Sequence, residues 1–150
     1  MMQFKIKVYE HAAQLVNNKV SLLQHMLGEL IESTRNETKS SAGDKYETGR
    51  AMLQIEQDNV RKQLKEALEQ KAIFEQINVT KSSSIITKGS LVKTDKDYFF
   101  VSIALGKMSV ENIAVIALSP QSPLGSKLMQ LKATESVTVN GATYIIEKVE

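Results

Sequence analysis

The spacing of apolar residues divides the chain into two regions. Over residues 5–34 the apolar side chains recur at alternating spacings of four and three, with no proline among them. This heptad pattern is typical of a helix that packs along a seam. After a polar stretch over residues 33–43, a second seam runs to Gln76. The main seam residues are Val16, Val20, Leu23, Leu27 and Leu30 in the first helix, and Tyr46, Leu53, Val60, Ala67 and Phe74 in the second.

Two seams joined by a short polar turn predict an antiparallel helical hairpin. The hairpin is predicted to occupy residues 1–77, with its tip near residues 38–49 and a capping box at Ser41 to Asp44. Gln57 and Lys71 are polar residues at positions of the second helix that should accompany its main seam residues in the packing. We therefore expect that part of the seam is hydrated or that the helices splay there.

After residue 77 the apolar period changes from seven to two, which indicates strands. Residues 78–88, which include Ser82, Ser83 and Ser84, predict a linker. Strands are predicted over residues 90–94, 98–105, 111–118, 135–139 and 142–149, with a hairpin turn at Asn140-Gly141. A short helix is predicted over residues 122–131, with Ser122 as N-cap and Pro123 at its first position. The predicted class is α+β, with residues 89–150 forming a small antiparallel sheet domain that carries this one helix.

Composition limits the classes of partner and chemistry. In 150 residues, 19 lysines and arginines oppose 17 acidic residues, so the net charge of +2 gives no reason to expect binding to bare nucleic acid. The absence of cysteine excludes disulfides, thiolate zinc sites and a cysteine nucleophile. No apolar run approaches the roughly 18 residues that a membrane span needs. The first residues also lack a signal-peptide core. We expect a soluble, cytoplasmic protein with no membrane partner.

The predicted tip carries two acids on one helical face. Asp44 and Glu47 are three residues apart at the start of the second helix. They offer two of the roughly six oxygen ligands that Mg²⁺ takes, so a second molecule would have to supply the rest. Acids in the first turn of a helix also stabilise the helix by their interaction with its dipole, without binding any ion. Both interpretations, a magnesium half-site and helix stabilisation, stay open. Lys45 and Arg50 are candidates for contact with phosphate or an acidic partner, or are ordinary solvated residues.

Two motifs, in order along the chain, resemble those of Gre-type transcript cleavage factors, and the resemblance covers nearly the whole sequence. The first is Gly43-Asp44-x-x-Glu47 at the tip. The second and more specific motif is Ser122-Pro123-Leu124-Gly125-x-x-Leu128-Met129, followed by Glu135-x-Val137-x-Val139.

The resemblance implies an FKBP-like C-terminal domain that docks on RNA polymerase at the rim of its secondary channel. The hairpin would enter the channel, where Asp44 and Glu47 would help to hold the second magnesium ion. The polymerase itself would then hydrolyse the 3′ end of a backtracked transcript, so the chain would be a monomeric accessory factor and not an enzyme. The chain would contact RNA and DNA only within the elongation complex. The implied partner-binding residues are Lys45, Arg50, Ser122, Pro123, Leu124 and Gly125.

The sequence also departs from the family pattern. Lys45 and Tyr46 separate the two acids, and the family's asparagine and later Glu-Tyr have no counterpart. Thr134 stands where the family usually has glycine before Glu135. Two alternatives therefore accompany the first interpretation. One is a Gre-like regulator or inhibitor that binds polymerase without stimulating cleavage, and the other is a coiled-coil adaptor whose seam pairs with another chain.

Overall fold

The structure is a computed structural model that describes residues 2–38 and 43–150, with side chains over residues 3–36 and 48–150. The chain forms two compact units. The β unit comprises Met1–Gln14 and Ala72–Glu150, and the hairpin unit comprises Leu15–Lys71. The elements, in chain order, are α1 Met2–Thr38, α2 Gly43–Glu75, β1 Leu91–Thr94, β2 Tyr98–Val101, β3 Gly106–Val110, β4 Ile113–Leu118, α3 Pro123–Leu128, β5 Ser136–Val139 and β6 Ala142–Val149.

The predicted α+β class is confirmed, with two long helices followed by a six-stranded sheet and one short helix. The strand order is β3-β4-β2-β1-β6-β5. Every neighbouring pair is antiparallel except β2 and β4, which are parallel, so the sheet is mixed and not wholly antiparallel as predicted. The difference arises from β3, which the sequence did not predict. β3 forms the edge of the sheet, and the chain reverses direction after it. β4 therefore pairs with β3 on one side, antiparallel, and with β2 on the other side, parallel.

Both faces of the sheet are covered within the β unit. Because strand side chains alternate between faces, Phe99 lies on one face of β2 and Phe100 on the other, and both are buried. The Phe99 face belongs to a core that is built with Leu128 of α3, Val137 and Ile146. On the opposite face, aromatic rings from the two long helices meet β2. Phe74 contacts Phe100 edge-on, with ring centroids 6.5 Å apart, and Phe4 contacts Tyr98 at 5.5 Å. Burial on both sides explains why β2 is apolar throughout.

The segment over residues 78–88, predicted as a linker, packs into the β unit. Ile86 is fully buried in the core that also contains Leu128. Its backbone amide donates to the Leu131 carbonyl at 2.8 Å, and its carbonyl accepts from the Gln130 amide at 2.8 Å. The neighbouring Ile85 forms an isolated antiparallel bridge with Lys132, so two isoleucines after a serine-rich run anchor this segment to the chain that follows α3.

The hairpin unit has the apolar seam that the heptads predict. Its buried residues, which come from both helices, are Val20, Leu23, Val60 and Ala67, flanked by Leu27, Leu30 and Leu64. Gln57 is buried between the helices and donates to the Thr34 hydroxyl at 2.6 Å. That hydroxyl donates in turn to the Leu30 carbonyl at 2.9 Å. The expectation of hydration or splaying is therefore wrong at Gln57, because its amide group finds a side-chain partner inside the seam.

The helices match their predicted ranges unequally. α2 spans Gly43–Glu75, within one residue of the prediction, whereas α1 spans Met2–Thr38 and extends beyond both predicted ends. The polar residues at its C-terminal end are accommodated by helical contacts, such as the ion pair of Arg35 with Glu32 one turn earlier. Residues 39–42, including Ser41 of the predicted capping box, lie outside the described residues. Among those described, the helices include none with the length and apolar character to span a bilayer.

Candidate functional site

The first predicted site is the pair of acids at the start of α2. Asp44 and Glu47 lie three residues apart in the first turn, since α2 begins at Gly43. Their side chains and that of Lys45 lie outside the described residues, so the magnesium site stays a prediction. Arg50 is exposed and has an interaction partner in the structure. Within the described ranges, no group of three or more acids or histidines is placed to hold a metal ion.

The second predicted site begins where β4 ends and α3 starts. Ser122 is the N-cap of α3, with φ −67° and ψ 159°, and Pro123 occupies the first turn as predicted. The Ser122 hydroxyl accepts from the Gly125 amide at 3.0 Å and donates to the Ser119 carbonyl at 2.7 Å. A serine N-cap of this kind stabilises a helix by about 1 kcal/mol relative to alanine. Here the same hydroxyl also fixes the preceding turn against the helix.

Gly125 is part of the same packing arrangement. It is buried, and a Cβ atom at this position would lie 2.0 Å from the Ser119 carbonyl oxygen and 2.7 Å from the Ser122 hydroxyl. Both distances are far inside van der Waals contact, so the turn and the helix can approach this closely only at glycine. Ser122 and Gly125 therefore shape the backbone, whereas Pro123 is exposed and Leu124 is half-buried.

A cavity of about 420 Å³ opens beside this turn. Its lining comes from the end of β4, the start of α3 and the β5–β6 hairpin, and consists of Leu118, Ser122, Pro123, Leu124, Val139, Asn140, Ala142 and Tyr144. Most of these side chains are apolar, and none of the eight is a carboxylate, an imidazole or an ammonium. The cavity is therefore suited to receive an apolar side chain.

The hairpin wall of the cavity is held on several sides. Asn140 and Gly141 have φ values of 52° and 80°, which form the tight turn that the sequence predicted. The Lys127 ammonium of α3 donates to the Thr138 carbonyl of β5 at 3.0 Å. The Tyr144 ring meets Phe99 edge-on, with centroids 5.4 Å apart, and the Lys96 ammonium lies 5.1 Å from the Tyr144 ring centre. These contacts fix the wall relative to α3 and the core.

Sequence reasoning found one side of this site. Ser122, Pro123 and Leu124 carry a local signal, and all three line the cavity. Tyr144 and Leu118 were not predicted as site residues, because they join the cavity only through the sheet and the fold of the β5–β6 hairpin. The Asn140-Gly141 turn could have placed the hairpin, but not the α3 helix beside it.

Thr134 lies in a backbone conformation that favours glycine. The turn from Lys132 to Glu135 is closed by a hydrogen bond from the Glu135 amide to the Lys132 carbonyl at 3.2 Å. Thr134 is its third residue and has a φ of 79°. A positive φ at this position after a residue without one, Ala133, is the pattern of a type II turn, where glycine is preferred and a β-branched side chain is strained. The Glu135 carboxylate supports the turn by accepting from the Lys132 amide at 3.1 Å.

Thr134→Gly is expected to raise the free energy of unfolding by about 1 kcal/mol, because relief of strain outweighs the added backbone entropy of the unfolded chain. Urea unfolding measures the change. The matched control is Thr138→Gly in β5, where glycine relieves no positive φ and is expected to destabilise. A Thr134→Gly protein that is less stable than wild type would contradict the strain at this turn.

Comparison of the chain with protein-family models, with curated proteins and with solved structures gives no match. The site is therefore interpreted from its own residues and from the motif resemblance.

Proposed function

We propose that this chain is a transcription elongation factor of the Gre type, which binds RNA polymerase at its secondary channel and stimulates cleavage of backtracked RNA. The observation that carries the proposal is the backbone at Thr134. The resemblance places a glycine in the family at this position, and the φ of 79° is the conformation for which glycine is selected. The motif alignment and the backbone geometry therefore agree at a residue where the side chain itself differs.

The architecture supports the same assignment. A helical hairpin precedes a sheet domain, and the Ser122-capped helix lies next to an apolar cavity. In the proposed function, the sheet domain, of the FKBP-like type, docks on polymerase through Pro123 and Leu124 and the cavity beside them. The hairpin carries the acids at the start of α2 to the polymerase active centre in the cytoplasm, where Lys45 and Arg50 contact polymerase or the RNA 3′ end.

The acids would act as ligands and not as a separate catalytic centre. Carboxylate oxygens are the donors that Mg²⁺ prefers, so Asp44 and Glu47 fit a magnesium ion that polymerase shares with them. When bound there, such an ion lowers the pKa of its water and stabilises charge during phosphoryl transfer. The contribution of this chain is to position the two carboxylates, and the hydrolysis belongs to polymerase.

Asp44→Asn and Glu47→Gln are each expected to reduce transcript cleavage at least about a hundredfold, because each removes a charged oxygen ligand from the shared ion. The measurement is release of short 3′ RNA fragments from a stalled, backtracked elongation complex of the cognate polymerase in the presence of magnesium. Binding of the same variants to polymerase is expected to stay unchanged.

The matched control is Glu66→Gln, which removes the same charge from an exposed position farther along α2. It is expected to leave cleavage unchanged. Wild-type protein that binds polymerase without releasing RNA fragments would reject stimulation of cleavage and favour the non-cleaving regulator. Failure of wild type to bind polymerase at all would reject the whole proposal.

A coiled-coil adaptor is the second candidate, because several large apolar residues of the two helices are exposed. Leu22, Met52 and Ile55 expose 59%, 61% and 59% of their surfaces. A groove of about 380 Å³, lined in part by Met26, Leu30 and Val60, also runs between the helices. An adaptor would pair these surfaces with another chain, whereas the elongation factor is a monomer. Mass in solution, measured by light scattering, distinguishes a monomer from a self-paired assembly.

A further inference from the structure

A second cavity lies in the segment that follows α2. It has a volume of about 400 Å³ and is lined by residues between Gln76 and Lys88. Two lysines, Lys81 and Lys88, contribute to the lining, and no carboxylate does. Four uncharged polar residues and one apolar residue complete the wall, namely Gln76, Asn78, Ser83, Thr87 and Ile77. This cavity belongs entirely to the β unit and is distinct from the apolar cavity beside α3.

The two lysines have no internal counter-charge in the part of the chain that the structure describes. Neither ammonium makes an ion pair there, whereas Lys7, Lys93 and Lys148 do. Both residues are exposed, so their ammonium groups stay hydrated and can meet a ligand from solvent. Two unpaired cations at one cavity make an anion the favoured ligand by charge.

Two of the neutral groups in the wall are biased toward donating hydrogen bonds. The side-chain oxygen of Asn78 already accepts from the Thr80 amide at 3.1 Å and from the Thr80 hydroxyl at 2.5 Å. The Asn78 amide hydrogens are thereby left to donate. The Ser83 hydroxyl oxygen accepts from the Ile85 amide at 3.3 Å, which leaves the hydroxyl hydrogen to donate.

Two nearby backbone acceptors are also occupied. The Asn78 carbonyl accepts from the Lys81 amide at 3.4 Å, and the Lys81 carbonyl accepts from the Lys5 ammonium at 3.2 Å. The wall therefore offers cationic and neutral donors, while several of its acceptors are already satisfied. This is the complement of an oxyanion with several acceptor oxygens.

We propose that this cavity binds the phosphate group of a small phosphorylated ligand such as a nucleotide, with Lys81 and Lys88 as its charged contacts. The volume of about 400 Å³ exceeds what one phosphate fills and leaves room for the rest of such a ligand. The inference does not rest on the proposed role in transcription. Its competitor is that the lysines only compensate the partial negative charge at the C-terminal end of α2, which ends at Glu75.

The test is a nuclear magnetic resonance titration of the whole chain, labelled with ¹⁵N, at constant ionic strength. The probes are inorganic phosphate, adenosine 5′-monophosphate, adenosine and a single-stranded oligonucleotide. Phosphate and the monophosphate are expected to shift the amides of Ser83, Thr87 and Lys88 saturably, and adenosine is expected not to. A double variant, Lys81→Gln with Lys88→Gln, is expected to weaken binding at least about tenfold, which corresponds to about 1.4 kcal/mol.

The matched control is Lys65→Gln with Lys107→Gln, which removes the same charge from two exposed positions outside the cavity. It is expected to bind phosphate like wild type. An equal loss of binding in both double variants would overturn the proposal, because a general effect of net charge would then explain it. A response to the oligonucleotide alone would overturn it in favour of nucleic-acid binding. Absence of any saturable shift at the cavity amides would also overturn the proposal. The lysines would then only compensate the partial negative charge at the C-terminal end of α2.

Discussion

Gly125→Ala is expected to lower the free energy of unfolding by about 3 kcal/mol, at the upper end of the cost of overpacking. The added methyl group would lie 2.0 Å from the Ser119 carbonyl oxygen, which is backbone and cannot rotate away. Relief therefore requires the turn before α3 to move off the helix, which breaks the two hydrogen bonds of the Ser122 hydroxyl. Urea unfolding measures the change, with tyrosine fluorescence as the signal because the chain has no tryptophan.

The matched control for this substitution is Gly28→Ala. Gly28 lies inside α1, and a Cβ atom there would meet no atom within 4 Å. Because alanine has the higher helix propensity, this change is expected to stabilise the protein by about 1 kcal/mol. The two substitutions are chemically identical and opposite in expected sign. A Gly125→Ala protein as stable as wild type would mean that the turn can yield, and that the close approach is not required.

Periodicity was sufficient to predict the elements whose signals are local. A heptad row needs only its own helix, so α1 and α2 could be located from residues such as Val20 and Val60. The N-cap of α3 is equally local, since Ser122 and Pro123 act on the turn that contains them. The Asn140-Gly141 turn belongs to the same group, because both residues tolerate the positive φ values that they adopt.

The strand β3 could not be predicted because its turn has a weak sequence signal. Glu111 and Asn112 have φ values of 52° and 65°, but glutamate is an unusual residue in that conformation. The residues that precede the turn are short of apolar positions, since β3 lies at the sheet edge and exposes alternate side chains. The parallel pairing of β2 with β4 follows from this strand and was missed with it.

Long-range packing decided the remaining differences. Ile86 lies in a serine-rich run, and its burial depends on backbone pairing with Gln130 and Leu131. Gln57 interrupts the apolar heptad pattern, but its side-chain amide donates a hydrogen bond of 2.6 Å to the Thr34 hydroxyl on the other helix. The apolar cavity has the same origin, because Tyr144 lies on β6 and reaches the cavity only through the packing of the β5–β6 hairpin beside α3. A pattern along one segment contains no information on the partner that another segment supplies.

Lys5 is the one charged residue among those described that is almost fully buried, with 1% of its surface exposed. Its ammonium donates to the Lys81 carbonyl at 3.2 Å, and the Glu150 carboxylate attracts it electrostatically. One oxygen of that carboxylate, Oε2, is buried with no hydrogen-bond partner among the described residues. The lysine therefore holds the first turns of α1 in the β unit, and it shares the Glu150 carboxylate with the Lys148 ammonium, which lies 3.7 Å from Oε1.

Lys5→Met is expected to lower the free energy of unfolding by about 2 kcal/mol, because it removes the hydrogen bond of a buried charged donor and leaves the Lys81 carbonyl without that donor. The apolar stem is kept, so the loss reports on the ammonium and not on packing. Lys7→Met is the matched control, because Lys7 lies on the same helix and pairs with Glu111 at the exposed surface. Its expected cost is below about 1 kcal/mol. Equal losses in the two variants would contradict a special role for the buried ammonium.

A double-mutant cycle and a pH series test the electrostatic origin of the Lys5 effect. In a cycle with Glu150→Gln, the coupling energy between Lys5 and Glu150 is expected to be at least about 0.5 kcal/mol, since the two charges attract each other in the folded protein. Burial lowers the pKa of Lys5 below its usual 10.5, and the attraction of Glu150 only partly opposes this shift. Because the unfolded chain then binds more protons than the folded one, the contribution of Lys5 to stability rises with pH up to about 10.5. The stability difference between wild type and Lys5→Met should therefore widen as the pH approaches that value. A difference that stays constant between neutral pH and pH 10.5 would show that the ammonium is not desolvated in the folded protein.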